Sequence, residues 1–314
     1  MTYREDHLRL FVLAAGLAGC PDGAQDGGAQ GPPCATGPFA LIQIQPGTFS
    51  IGSPPTEVGR FDNEGEREVT LTHGYCIGAT EVTQGQFEEV MGNNPSLDAG
   101  CGADCAAERV TWHLAAEFAN RLSAREGLEA CYTCADGVCS VALDPYACDG
   151  YRLPTEAEWE VAARAGARGA FHNGVEIGAE LEQQCPADAG LPVASGVELV
   201  AWTLCTTSPS GIRPVAKLAP NAWGLYDVSG NVWEWCHDDY VFAPALTPQT
   251  DPVGSIPLSL EALHAGVTQG AEGGSDAERA AILLASPYVV RGGSYSYYPR
   301  YARLAHRAGG AADL

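Results

Sequence analysis

The densest run of chemically capable side chains in this 314-residue chain is GGSYSYYPRYARLAHRA at 292–308. There Tyr295, Tyr297, Tyr298 and Tyr301 interleave with Arg300, Arg303 and Arg307, with Arg291 just before them. Tyrosine gives large contact area at small rotamer cost and arginine pairs bidentately with carboxylates, so the mixture suits a recognition surface. Tyr295, Tyr297, Tyr298, Arg300 and Arg303 are the candidate ligand-binding residues. The same arginines have an internal alternative, because 39 Asp and Glu offer each guanidinium a partner within the chain while the tyrosines pack beneath. A second group is the cysteine run C-x2-C-x4-C-x8-C, at Cys131, Cys134, Cys139 and Cys148, with Cys101 and Cys105 upstream. Four thiolates can hold Zn²⁺, but this spacing departs from paired knuckles, and twelve Cys in the chain read as disulfides of an oxidising compartment. No Gly-Lys phosphate loop, paired-histidine metal motif or serine-nucleophile elbow occurs.

Composition sets the bounds for these groups. A hydrophobic content of 46% with 18% charged residues builds a globular core, and the formal charge of −22 argues against nucleic acid and anionic lipid surfaces as partners. Such acidity suits divalent cations or basic partners, and equally serves to keep a secreted protein dispersed. At the N-terminus, Arg4 and Arg9 flank the apolar run LRLFVLAAGLA at 8–18, which ends in LAGC at 17–20. That run is far shorter than the roughly 20 residues of a membrane span. LAGC resembles a bacterial lipobox, so residues 1–20 are expected to be a lipoprotein signal peptide, with lipid on Cys20 as the membrane anchor. The spacer PDGAQDGGAQGPP at 21–33 can bury almost nothing, and a flexible tether is expected over 21–38. With Cys20 acylated, an odd number of cysteines remains, so one thiol stays free or pairs between molecules.

Around these groups the chain alternates strand-like runs with well-signalled helices. FALIQIQPGTFSIGS at 39–53 reads as strand, Pro-Gly turn and strand. Thr83 with Gln86 forms a capping box for a helix that Gly92 can end in the left-handed conformation. A second helix opens near Thr111, its apolar face drawn from Trp112, Ala115, Ala119 and Leu122, and runs towards Gly127. Thr155 with Glu158 caps a third, lined by Trp159, Ala162 and Ala163 and stopped at Gly166. The insert at 131–151 and the Pro-, Gly- and acid-rich stretch at 242–287 look peripheral, the latter with short helices expected at 258–265 and 277–285. No internal repeat or interdomain linker is visible, which favours one mature domain from 39 to 314.

Five segments carry a resemblance: FALIQIQPGTFSIGSP at 39–54, GYCIGATEVTQGQFEEVMGNNPS at 74–96, RLPTEAEWEVAARAG at 152–166, NAWGLYDVSGNVWEWCHD at 221–238 and VVRGGSY at 289–295. In this order they resemble the formylglycine-generating-enzyme, or sulfatase-modifying-factor, family. The resemblance implies a single α+β domain related to C-type lectins, with low regular secondary structure, long ordered loops and bound Ca²⁺. It places Asp227 and Glu234 as carboxylate ligands of structural calcium, with main-chain carbonyls from Gly230 and Val232, a set of hard oxygens that suits the ion. A second calcium site of the family has no clear counterpart, since Leu204-Cys205-Thr206 stands where relatives carry Asn-Ser. Catalytic members oxidise a substrate cysteine to formylglycine with O₂, using Cu(I) on two cysteines. Those positions here are Tyr297 and Ala302, and no cysteine follows Cys236. Cu(I) prefers soft thiolates, so copper is not expected. Ser294 and Trp233 match the residual family pocket. The chain ends GGAADL where relatives continue to a closing strand, so that strand is expected to be truncated.

The expected function is a calcium-stabilised, lipid-anchored binding or scaffolding module of the bacterial cell envelope, holding a protein or small molecule in the former catalytic cleft. The alternatives are a divergent oxidoreductase, acting in protein cysteine oxidation or metabolite maturation, and a degenerate paralogue.

Overall fold

The strand and helix signals are realised as short elements joined by long ordered loops in the computed structural model, which describes residues 14–15, 34, 39–141, 144–178, 185, 196–207, 209–242, 244–254 and 287–312. In chain order they are β1 (Ala14–Ala15), β2 (Leu41–Ile44), β3 (Gly47–Ile51), β4 (Arg67–Leu71), β5 (Tyr75–Gly78), α1 (Gln84–Met91), α2 (Trp112–Arg125), β6 (Tyr132–Ala135), β7 (Val138–Val141), β8 (Tyr151–Arg152), α3 (Glu156–Arg164), β9 (Glu234–Asp239), β10 (Gln249–Thr250), β11 (Pro287–Arg291) and β12 (Ala308–Ala311). They form small sheets of order β2-β5-β1-β8, β10-β4-β3 and β12-β11-β9, with β6 and β7 as a separate hairpin. Mixed helix and sheet with three short α-helices is the α+β class expected. The Pro46-Gly47 turn separates two strands that join different sheets: β2 pairs with β5 and β3 with β4.

The helix ends follow local chemistry. Thr83 accepts from the Gln86 amide while the Gln86 side chain accepts from the Thr83 amide, and left-handed Gly92 closes α1. Thr111 caps α2 through the Leu114 amide. Thr155 and Glu158 form the reciprocal box of α3, whose left-handed terminal residue is Ala165, one position before the expected Gly166.

The sheet β12-β11-β9 sits between two cores, and the two-residue period of a strand decides which side chain enters each. From β11, Tyr288 and Val290 enter the core built on α2, with Trp112, Phe118 and Trp235; Val289 enters the one built on α3, β3 and β4, with Trp159, Val69 and Leu71. β9 obeys the same alternation. Trp235 and His237 face α2 and β6, where His237 Nδ1 meets the Tyr132 hydroxyl at 3.1 Å. Glu234 and Asp238 face α3, Glu234 accepting from Trp159 Nε1 and Asp238 from the Glu156 amide at 2.7 Å.

The structure departs from some of these expectations. The tail expected to lack a closing strand supplies one: Ala308–Ala311 pairs antiparallel with β11, its glycines admitting close approach, since a Cβ on Gly310 would stand 2.7 Å from the Trp235 ring. The 131–151 insert is not peripheral, because Cys131, Tyr132, Cys139, Cys148 and Tyr151 are buried in the α2 core. Within the stretch expected as a tether over 21–38, Cys34 is the described residue, and it is bonded to Cys76 of β5. The acidic side of α3 is buried on arginines, the internal pairing that the abundance of acids allowed: Arg152 holds Glu158 bidentately at 2.7 and 2.8 Å, Arg164 and Arg291 hold Glu160, and Arg307 holds Glu156.

The cysteine pattern resolves into disulfides Cys34–Cys76, Cys101–Cys105, Cys131–Cys148, Cys134–Cys139 and Cys185–Cys205, with Cys236 free and buried. All four thiols of the 131–148 run are thereby consumed. Ala14–Ala15, inside the apolar run read as an export signal, pairs with β5 and β8. Cys20 and the expected short helices at 258–265 and 277–285 lie outside the described residues. No helix among the described residues is long and apolar enough to cross a membrane.

Candidate functional site

The loop before β9 brings together the residues expected to bind calcium. Asp227 and Asn231 adopt positive φ, and Gly230 turns with φ 85°, a conformation that glycine takes at no steric cost. Only glycine fits there, since a Cβ would stand 1.9 Å from the Trp202 carbonyl oxygen. Asp227 Oδ2 accepts from the Ala216 amide at 2.7 Å, while its Oδ1 is buried without a partner. Glu234 is buried, with one oxygen on Trp159 Nε1. A third carboxylate joins them that sequence reasoning missed. Glu81 is 1% exposed and clamps the turn, accepting from Asn231 Nδ2 at 2.6 Å and from the Val232 amide at 3.1 Å. The only sequence signal for it was its place two residues before the Thr83 cap.

The three carboxyls of this loop are all raised by burial. Burial pushes the Asp227 carboxyl up to about 6 against a single backbone donor. Burial, then the charges of Asp227 and Glu234, drive Glu81 well above the carboxylate range. Glu234 is raised in the same way by burial, against its bond from Trp159. A divalent ion would compensate charges that water does not reach, and the orphaned Asp227 oxygen is a ligand atom in waiting. Among the described residues no three His, Cys, Asp or Glu side chains converge in metal-binding geometry, so such an ion would rest on Asp227, Glu234 and main-chain carbonyls. That donor set fits Ca²⁺, which takes carbonyl oxygens readily.

The second locus is a cluster of packed rings that follows β11. Trp233 is 3% exposed, its Nε1 buried without a partner, and its ring lies 5.4 Å from that of Tyr297 and 5.7 Å from that of His306. Tyr301 packs against both, at 5.5 and 5.2 Å, and Phe61 meets Tyr301 at 5.7 Å and His306 at 5.0 Å. Ser294 is buried, its hydroxyl 3.0 Å from that of Ser296. Position 297 thus contributes a phenol to an aromatic cluster and position 302 a buried methyl, neither of which is a soft ligand. Among the described residues the free thiol is Cys236, which burial and then Asp238 push well above its usual range.

The remaining candidates separate. Tyr295 leaves the cluster to pack beside Cys105, Ile212 and Val232. Tyr298 is half-buried and precedes the turn Pro299–Ala302. Arg303 is fully buried rather than presented to a ligand: it reaches Glu57 at 2.5 Å and both Glu64 oxygens at 2.7 and 2.8 Å. Glu64 also accepts from His306 Nδ1 at 3.1 Å and is held below its usual range, its bonds from His306 and Arg303 outweighing burial. At Glu57 burial outweighs Arg303 and the carboxyl rises. Arg300 is half-exposed and stacks over Phe61 at 4.2 Å. Phe61, Glu64 and His306 carried no local signal, because their partners lie far along the chain.

Known proteins share this architecture. A family model described as the sulfatase-modifying factor enzyme 1-like domain matches residues 32–314. The chaperone protein LppX of Paenibacillus barcinonensis is 30% identical over 241 residues, covering 72% of this chain and 79% of its own. A formylglycine-generating enzyme of Thermomonospora curvata is 44% identical over 91 residues, 28% of this chain and 27% of that enzyme. Among solved structures, Treponema denticola variable protein 1 superposes with a TM-score of 0.61 at 25% identity, over 88% of this chain and 91% of that one.

Proposed function

The chain belongs to the sulfatase-modifying factor enzyme 1-like family, and on that premise we propose that it is a calcium-stabilised, lipid-anchored binding or scaffolding module of the bacterial envelope, without formylglycine-generating activity. The observation that carries the reading is the aromatic cluster itself. Tyr297 stands where the copper-dependent relatives are expected to hold a thiolate, and its ring is packed between Trp233 and Tyr301. A cleft so filled offers contact area and hydrogen-bonding edges, which are the means of recognition, and lacks a soft metal's ligands. Similarity to a protein named a chaperone, over 72% of the chain, supports a holding role. The lipid on Cys20 and the envelope location rest on the LAGC tetrapeptide, and the disulfides agree with an oxidising compartment. A second reading, a divergent oxidoreductase, draws on the 44% identity to a formylglycine-generating enzyme over 91 residues and on retained Ser294 and Trp233.

Two experiments test the proposal. Purified protein incubated with Cu(I), O₂ and a Cys-x-Pro-x-Arg peptide is expected to leave the peptide thiol intact by mass spectrometry; aldehyde formation would establish the oxidoreductase reading instead. Chelation is expected to lower the melting temperature, and Asp227→Ala to abolish that sensitivity. Identical melting with and without chelator would remove the calcium.

A further inference from the structure

Glu81 holds the 227–234 loop from outside the donor set expected for calcium. Its two oxygens accept from Asn231 Nδ2 at 2.6 Å and from the Val232 amide at 3.1 Å, and the side chain is 1% exposed. A bond accepted at each oxygen is the pattern of a carboxylate, which has no hydrogen to offer. Among the described residues no three His, Cys, Asp or Glu side chains converge in metal-binding geometry, so Glu81 is a neighbour of the donors and not one of them. Asp227 and Glu234 nonetheless stand near enough for their charges to act on it.

The bonds around Asn231 show what this clamp controls. Its amide donates to the Trp202 carbonyl at 2.9 Å, its carbonyl accepts from the Tyr295 amide at 2.9 Å, and its side-chain oxygen accepts from the Arg213 amide at 2.8 Å. The peptide between Asn231 and Val232 is therefore held at both ends, the carbonyl by Tyr295 and the amide by Glu81. That carbonyl is spent within the protein. The carbonyls of the flanking residues, Gly230 and Val232, are the ones expected to meet calcium. A main-chain carbonyl is aimed by the torsions on either side of its rigid peptide plane, so fixing the plane between them constrains both.

We propose that Glu81 is the positioning residue of the calcium loop: an outer carboxylate that sets the affinity for the ion through its charge and through the peptide plane it holds, while Asp227, Glu234 and the carbonyls of Gly230 and Val232 make the contacts. The inference rests on the calcium reading and gives it a determinant that lies on another part of the chain, just before α1. A buried negative charge attracts a cation without touching it, and a fixed plane spares the ion the cost of ordering its ligands.

Changing the charge of the ion separates the charge of Glu81 from its shape. Chelator-stripped protein is titrated with Ca²⁺ by calorimetry and with Tb³⁺ by luminescence. Glu81→Gln, which removes the charge and keeps the outline, is expected to weaken Ca²⁺ by at least about tenfold. Coulomb attraction scales with ionic charge, so Tb³⁺ should lose about the three-halves power of that factor, roughly thirtyfold for a tenfold loss. Glu81→Asp keeps the charge but shortens the reach to Asn231 and Val232, and should weaken both ions by one common factor. Equal losses for the two ions in Glu81→Gln reduce Glu81 to a structural brace, and an unchanged Ca²⁺ affinity removes its role; either result overturns the inference. If Glu81→Gln does not fold, Glu81→Asp decides: affinity unchanged, or lost for Tb³⁺ alone, contradicts the inference. The calcium reading fails separately, when the parent protein binds neither ion or Asp227→Ala binds both as the parent does.

Discussion

Glu160 shows how much of this protein depends on single buried charges. Burial alone would raise its carboxyl, but Arg291, Arg164 and Arg67 together outweigh it and hold the group at about 2, with the Gly52 amide also donating at 2.6 Å. Removing one partner of such a cluster leaves uncompensated cations in the interior, so Glu160→Gln should cost about 3–5 kcal/mol in denaturant unfolding at neutral pH. The pH dependence has a definite sign. A carboxyl whose folded value lies below its unfolded value of 4.5 contributes stability that is present above 4.5 and lost as pH falls towards 2. Melting temperature should therefore fall over that window in the parent protein and fall less steeply in Glu160→Gln. Equal slopes would contradict the assignment. Glu156 and Glu64, also lowered by arginine partners that outweigh burial, act in the same direction.

At the scale of elements, local signals were legible and distant ones were not. Thr83, Thr111 and Thr155 announced three helices because a capping hydroxyl acts on an amide three residues away. The loop at 227–234 was picked out by its motif, and the structure shows its turn at Gly230. Glu81 escaped because its partners Asn231 and Val232 lie 150 and 151 residues away, and Phe61 because it meets Tyr301 and His306 only in the folded chain. Nothing local to α3 reveals that Arg291 and Arg307 will cover its glutamates. The terminal strand was missed for another reason: Ala308–Ala311 carries almost no β-propensity and is specified by the space available against β11. That explanation is testable. Gly310→Val places a branched side chain where a Cβ already stands 2.7 Å from the Trp235 ring, and should destabilise by about 1–3 kcal/mol through overpacking. A neutral or stabilising effect in chemical denaturation would mean that β12 is not seated against Trp235.

At the scale of the molecule, the described residues form three small sheets, the β6–β7 hairpin, three α-helices and long loops, held by five disulfides and buried ion pairs in place of one large continuous sheet. Cys131–Cys148 joins the hairpin β6–β7 to the entry of β8 across 17 residues, a loop whose closure is worth about 3 kcal/mol. Replacing both cysteines with serine should lower unfolding free energy by about that amount and leave the cleft residues in place; an unchanged melting temperature would show the crosslink to be idle. The same framework holds the Tyr297 ring against those of Trp233 and Tyr301, with both tyrosines partly open at the surface. The central claim is that this surface recognises and does not oxidise. It is tested most directly by loading the purified protein with Cu(I) in the presence of a competing chelator and measuring bound copper by elemental analysis: no stoichiometric copper is expected, and one tightly held copper per chain, lost on Tyr297→Phe, would contradict the account.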